Sequence, residues 1–151
     1  AHSWLLAAGV VEFMKERLTQ EQNHNIFWAA VILAQLCGTE EQKSLSPSSV
    51  TMILDTLKQS MQLKGQPNEH GIQWEPEDML HPLGNLCVSD ANKTMLLEAG
   101  ALPILVAAAQ NTCDDALAKV TECECAQLSL EALLQFSLFD AGLLEQIPDL
   151  E

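Results

Sequence analysis

The 151-residue sequence predicts an all-α fold, a helical repeat array without any sheet. The first observation is self-similarity at a constant offset of 50 residues, the sequence signature of repeat proteins. The second is the three- and four-residue spacing of apolar residues within each copy, and the third is the lack of the apolar–polar alternation typical of strands. The columns that align across the copies are Leu33/Leu83/Leu133, Gln35/Asn85/Gln135, Leu36/Leu86/Phe136, Cys37/Cys87/Ser137 and Glu40/Asp90/Asp140.

The first copy predicts a buried helix from Asn25 to Cys37. Apolar residues recur there at helical spacing and also occupy the remaining faces, which is typical of a helix that is covered on all sides. Phe27 and Trp28 could form a ligand-binding pair, but their place in a nine-residue apolar run favours the core, and they are predicted to belong to it. Gly38 is a suitable C-terminal stop, and residues 39–42 have the form of a capping box for the next helix.

The second copy predicts a helix that starts at Ser46 and Pro47, a cap followed by a first-turn proline. A loop is predicted over residues 64–76, where glycine and proline are concentrated. Because proline disfavours helical geometry at the residue before it, the next helix either begins near His81 or is kinked at Pro82.

In the third copy, Asp90 is predicted to cap a short helix that Gly100 ends, and a further helix is predicted from Ala101 to Ala109. The segment before Gly100 matches the segment before Gly9, so the chain begins partway through a repeat. The polar residues 111–124 predict a second insertion loop.

Charge and composition restrict the partners. With 7 Lys and Arg against 21 Asp and Glu, the formal net charge is 7 − 21 = −14, which excludes ordinary nucleic-acid binding because phosphates would be repelled. No apolar run reaches the roughly 18 residues of a membrane helix, so no membrane span is expected. The five cysteines are odd in number and fit a reducing setting. We expect an intracellular, cytoplasmic location, with a nuclear one left open.

Candidate chemistry is weak. Cys113, Cys123 and Cys125 lack the paired spacing of a structural zinc site, and we expect solvated loop or helix-start thiols instead. Cys37 and Cys87 lie in a column of small residues and are predicted to pack in the core. No nucleophile elbow or phosphate-binding loop accompanies the single groove histidine, so we expect no catalysis, metal or cofactor.

The sequences LGNLCVSDANK, from Leu83 to Lys93, and LEAGALP, from Leu97 to Pro103, resemble the armadillo repeat. The resemblance implies three helices per repeat, stacked into a right-handed α-solenoid of about three repeats. It divides the chain into a partial repeat 1–38, repeats 39–88 and 89–138, and a partial repeat 139–151. Flanking repeats of a longer parent chain are then expected to cover the two ends.

In the armadillo family the third helix of each repeat lines a concave groove that binds extended peptides or partner proteins. The resemblance places the groove amides at Gln35, Asn85 and Gln135. A primary amide can both donate to and accept from the backbone of an extended chain. The full set of predicted groove residues is Val31, Gln35, Glu77, Asp78, His81, Asn85, Glu131 and Gln135.

These observations favour a non-catalytic scaffold that binds a basic or extended protein segment. A regulatory or exchange factor for a small GTPase or a chaperone is the alternative hypothesis. Nuclear-import adaptors of the family carry a Trp one helical turn before each groove amide, where this sequence has Val31, His81 and Glu131. A nuclear-import adaptor is therefore disfavoured. Glu77 and Asp78 are as compatible with a charged helix start as with partner binding.

Overall fold

The computed structural model describes residues 3–19, 23–37, 45–69, 71–110, 119–140 and 142–143. Within these residues every regular element is helical, and the all-helical prediction is confirmed for them. The helices are α1 (Ser3–Ala7), α2 (Val10–Leu18), α3 (Asn23–Cys37), α4 (Pro47–Leu63), α5 (Pro76–Leu86), α6 (Asp90–Glu98), α7 (Ala101–Gln110) and α8 (Lys119–Phe139).

The longer helices pack in pairs that are consecutive in the chain: α2 packs against α3, α4 against α5 and α7 against α8. The second members of these pairs also lie side by side, with α5 in contact with both α3 and α8. We call α3, α5 and α8 the inner helices. Behind them α4 contacts α7, and the short α6 packs against both. The core fills the space between these helices, and its largest fully buried side chains are Leu33, Ile53, Leu54, Leu57, Met79, Leu80, Leu83, Leu86, Leu96, Leu105 and Phe136.

Helix α4 begins as the sequence predicts. Ser46 is the N-cap in extended conformation, its Oγ accepts a hydrogen bond from the Ser49 backbone N–H at 3.2 Å, and Pro47 occupies the first turn. The side-chain bond satisfies one of the backbone donors that a helix start leaves without an intrahelical partner. The helix ends at Leu63, and residues 64–69 and 71–75 form no helix, as predicted, whereas Pro76, the last residue of the predicted loop, already belongs to α5.

Helix α6 begins one residue earlier than predicted, because Ser89 rather than Asp90 is the N-cap. Asp90 is the first helical residue, and its carboxylate accepts a hydrogen bond from Lys93 Nζ at 2.8 Å. Lys93 is only 4% exposed, and its ammonium also lies 5.4 Å from the centre of the Phe139 ring on α8. Asp90 therefore neutralises the buried ammonium of Lys93, and its negative charge also interacts favourably with the positive N-terminal end of the α6 dipole.

Two glycines end short helices in the same conformation. Gly9 separates α1 from α2 with φ +75°, and Gly100 separates α6 from α7 with φ +78°. A left-handed backbone is strained for residues that carry a Cβ atom, so glycine is the suitable residue at both turns. The helix stop predicted at Gly100 and the helix that follows it are confirmed.

The structure excludes one of the two alternatives for α5 and corrects two further expectations about helix bounds and burial. Helix α5 begins at Pro76 and continues through the buried Pro82, so it does not begin at His81. Helix α8 begins at Lys119, and the second predicted loop therefore includes helical residues. Helix α3 is not covered on all sides, because Trp28 is 38% exposed. Gly38 and the capping box at 39–42 lie outside the described residues.

Gly100→Ala and Gly84→Ala should change stability in opposite directions. A Cβ atom at either position meets no heavy atom within 4 Å, so backbone conformation alone decides the effect. Gly100→Ala should lower the free energy of unfolding by about 1–2 kcal/mol because its φ is positive. Gly84→Ala, inside α5, should raise it by roughly 0.5–1 kcal/mol.

Urea unfolding followed by circular dichroism measures both changes. If both variants lost the same stability, steric contacts of the added methyl group, and not the left-handed backbone at Gly100, would decide the effect.

Candidate functional site

A surface cleft of about 250 Å³ lies between the inner helices α5 and α8. Its walls combine apolar and polar side chains, and four of the eight predicted groove residues belong to them. The lining residues are Leu80, His81, Gly84, Asn85 and Val88 from α5 and the turn after it, and Leu128, Glu131, Ala132 and Gln135 from α8.

Helical spacing brings the four polar residues together. His81 and Asn85 are four residues apart on α5, and Glu131 and Gln135 are four residues apart on α8. Residues with this spacing are neighbours on one helix face, so each helix presents two polar groups to the same cleft. Two carboxamides, one imidazole and one carboxylate therefore converge across an apolar floor that the buried Leu80 and Ala132 provide.

Asn85 also links two inner helices. Its Nδ2 donates a hydrogen bond to the backbone carbonyl of Gln35, 50 residues earlier, at 3.1 Å. A carboxamide offers two N–H donors and an acceptor oxygen, so this bond leaves hydrogen-bonding capacity for a ligand. The bond also fixes the position of the amide relative to α3. Asn85 is therefore better ordered than the purely ligand-facing amide that the sequence predicts.

Glu131 is held in place by its own helix, because Gln127 Nε2 donates to Glu131 Oε1 at 2.9 Å. On the opposite wall, His81 Nε2 lies 3.7 Å from Glu124 Oε1 on α8. Both of these side chains are about half exposed, so a protonated His81 would gain only a modest solvent-screened attraction. Glu124 adds a second carboxylate of α8 beside the cleft.

The start of α5 is acidic, but its acids have different roles. Asp78 accepts a hydrogen bond from the Glu75 backbone N–H at 3.0 Å and thereby caps the helix. Burial raises the pKa of the Glu77 carboxyl above its usual value, a backbone hydrogen bond opposes this, and nearby Glu75, Glu124 and Asp78 raise it further. Because the charge of Glu124 helps to raise the pKa of Glu77, the two carboxyl groups lie near each other.

The remaining predicted groove residues do not line the cleft. Gln35 is exposed on α3 and contributes its backbone carbonyl to Asn85. Val31 is half-buried and packs against the core. Asp78 caps α5, and Glu77 contributes to the charge near the cleft. The structure thus brings together His81, Asn85, Glu131 and Gln135.

An aromatic cluster beside this region was not predicted. Trp74, in the loop before α5, lies with its ring centre 5.0 Å from that of Trp28 and 5.6 Å from that of Phe27. The ring centres of Phe27 and Trp28 lie 6.0 Å apart, so each of the three rings contacts the other two. Trp28 is therefore part of a half-exposed cluster at the surface and not a core residue. The only sequence signal was an aromatic residue directly before the acidic helix start.

Both cysteines whose side chains the structure describes, Cys87 and Cys125, are buried. Cys87 is fully buried, as predicted, and burial raises its pKa to about 12. The expectation of a solvated thiol is wrong for Cys125, which is buried within α8 and lies 3.6 Å from the Ala108 carbonyl. Burial and the nearby Glu77 raise its pKa to about 11. Cys37, Cys113 and Cys123 have side chains outside the described set, within which no three metal-binding side chains cluster.

Comparison of the chain with protein-family models, with curated proteins and with solved structures found no match. Among the helices described here, none combines the length and apolarity required to cross a bilayer.

Cys87 should make the protein less stable at high pH. The pKa of the Cys87 thiol is about 12 in the folded protein against an ordinary value of 9.0, so between these values the unfolded state loses a proton that the folded state keeps. Stability from this group is complete below pH 9 and falls as pH rises. At pH 10.5 the loss should be about 2 kcal/mol.

The measurement is urea unfolding at pH 8 and pH 10.5 for the wild type and Cys87→Ala. The variant is less stable at both pH values because of its cavity, but it should lose less stability than the wild type between them. An identical pH dependence in the two proteins would contradict the assignment of the effect to Cys87.

Proposed function

We propose that this chain is a non-catalytic protein-interaction scaffold of the armadillo type, with a right-handed superhelical stack, and that its inner surface binds an extended, basic segment of a partner protein. The observation that carries the proposal is the cleft between α5 and α8, where two carboxamides and a carboxylate converge on one surface. An open cleft with these groups suits recognition of a polypeptide backbone and basic side chains.

The amides supply contacts that do not depend on the sequence of the partner. Asn85 and Gln135 both line the cleft and can pair with backbone N–H and C=O groups of an extended chain. Because Asn85 is already oriented by its bond to the Gln35 carbonyl, less side-chain entropy is lost when it binds. A row of amides at the repeat spacing would hold a segment in extended conformation.

The distribution of charge supports a basic partner. In the described residues, Lys15, Lys58 and Lys93 each pair with an acid three residues away on the same helix. These three lysines are therefore neutralised by acids of their own helices, away from the cleft. Among the described residues, no Lys or Arg forms an ion pair with Glu124 or Glu131. The negative potential of the cleft is therefore available to steer a cationic segment towards it.

We propose that the cluster of Phe27, Trp28 and Trp74, which lies between α3 and the loop before α5, also takes part in binding. Trp74 directly precedes Glu75 and the acidic start of α5, and Trp28 is partly exposed. Aromatic faces attract Lys and Arg head groups and also cover their aliphatic stems. A basic segment longer than the cleft can therefore contact apolar as well as acidic groups.

The armadillo assignment is supported by two features that agree with each other. The offset of 50 residues in the sequence is also the separation of Asn85 from Gln35, which are joined by a hydrogen bond between neighbouring inner helices. The side-by-side order of α3, α5 and α8, each backed by an earlier helix, is the arrangement expected of stacked repeats.

Removal of the cleft carboxylates should weaken binding of a basic peptide. The probe is a fluorescein-labelled, capped peptide of alternating Lys and Ala residues, followed by fluorescence anisotropy at fixed ionic strength. Glu124→Gln with Glu131→Gln should lower its affinity about tenfold, since two partly exposed charge contacts contribute roughly 1–2 kcal/mol together. Asn85→Ala with Gln135→Ala should weaken binding through the backbone contacts.

A charge-matched control separates the cleft from the overall net charge. Asp55→Asn with Glu98→Gln removes the same two negative charges from α4 and α6, outside the cleft. This variant should bind nearly as tightly as the wild type. If it loses as much affinity as the cleft variant, the peptide follows the −14 net charge and the proposed groove is wrong.

A further inference from the structure

The cleft between α5 and α8 contains an imidazole among carboxyl groups. His81 and Glu131 both line it, and His81 Nε2 lies 3.7 Å from Glu124 Oε1. Glu77 is four residues before His81 on α5, so the two side chains are neighbours on one helix face. The charge of Glu124 also helps to raise the pKa of the Glu77 carboxyl. Three carboxyl groups from two helices therefore share this region with His81.

The other helices packed against α5 place no described charged side chain in the cleft. On α4, Asp55 and Lys58 pair with each other at 3.5 Å, and neither lines the cleft. The residues Asn23–Cys37 of α3 include no Asp, Glu, Lys or Arg. The side chains of His24 and Cys37 on this helix lie outside the described set.

The remaining titratable groups near the cleft are already engaged or stay neutral. Asp78 accepts a hydrogen bond from the Glu75 backbone N–H at the start of α5. The Cys125 thiol on α8 is near Glu77, and its pKa of about 11 keeps it protonated below pH 8. Histidine is the type of side chain that changes charge between about pH 5 and pH 8. A small change of pH around neutrality therefore acts on the cleft through His81.

The charge of His81 decides which cation pairs with Glu124. A neutral imidazole leaves the Glu124 carboxylate to a cation of the partner, because no described Lys or Arg forms an ion pair with it. A protonated imidazole is an intramolecular partner for the same carboxylate, and it repels cations that approach Glu131. Because the side chains of His81 and Glu124 are about half exposed, solvent screening limits the effect to a few-fold.

We propose that His81 makes binding of the basic segment depend on pH, with strong binding to the neutral imidazole and weak binding to the protonated one. This pH dependence rests on the proposed function, since it concerns the same cleft and a partner of the same charge. Because linkage is reciprocal, a bound cationic segment also lowers the affinity of His81 for its proton. Binding should therefore release protons at a pH where His81 is partly protonated.

Fluorescence anisotropy with the capped Lys and Ala peptide at pH 8 and pH 5.5 measures this effect. The charge of the peptide stays constant over this range, because Lys titrates at about pH 10.4. The affinity of the wild type should be about threefold lower at pH 5.5, the size expected for one partly exposed charge. His81→Gln should lose most of this ratio although it keeps the other three histidines of the chain. His81→Lys carries a permanent charge and should bind more weakly than His81→Gln at both pH values.

Glu77→Gln is the matched control. The raised pKa of Glu77 means that its carboxyl takes up a proton at a higher pH than an ordinary glutamate, so it also reduces the negative charge in acid. This variant should keep most of the pH dependence. A dependence that disappears in Glu77→Gln and persists in His81→Gln would overturn the assignment to His81.

Calorimetry at a constant pH of 6.5, in buffers with different ionisation enthalpies, counts the protons released on binding. The wild type should release a fraction of a proton more than His81→Gln. Equal proton release and equal pH dependence in the two proteins would overturn the role of His81 and leave the scaffold proposal intact. If the peptide does not bind to the wild type at pH 8, the proposed function itself is wrong, and the role of His81 is rejected with it.

Discussion

The structure depends on the burial of α5 between its two inner neighbours. A helix of 11 residues is not stable alone in water, so its conformation must come from packing. Met79, Leu80, Leu83 and Leu86 are almost completely buried, and the chain on either side joins α5 to α4 and α6. Because the same helix carries His81 and Asn85, the packing that stabilises α5 also fixes one wall of the cleft.

Local chemistry in the sequence predicts much of this arrangement. Ser46 and Pro47 specify a helix start because the cap and the fixed proline φ act within one turn. Gly100 specifies a stop because few other residues adopt its backbone conformation. These features need no knowledge of distant contacts. The offset of 50 residues placed Asn85 and Gln35 in one column, but the sequence predicted both as amides that face a ligand, and the hydrogen bond between Asn85 Nδ2 and the Gln35 carbonyl was not predicted.

Other features could not be predicted because they depend on contacts between separate segments. Trp74 lies in a loop, and nothing local indicates that its ring packs on Trp28. The contact of His81 with Glu124 joins α5 and α8, and the sequence does not specify how far these two helices are shifted relative to each other along their axes. Cys125 resembles a solvent-exposed thiol in a polar sequence, but α8 begins early enough to direct it into the core. In each case the deciding quantity is three-dimensional position and not residue type.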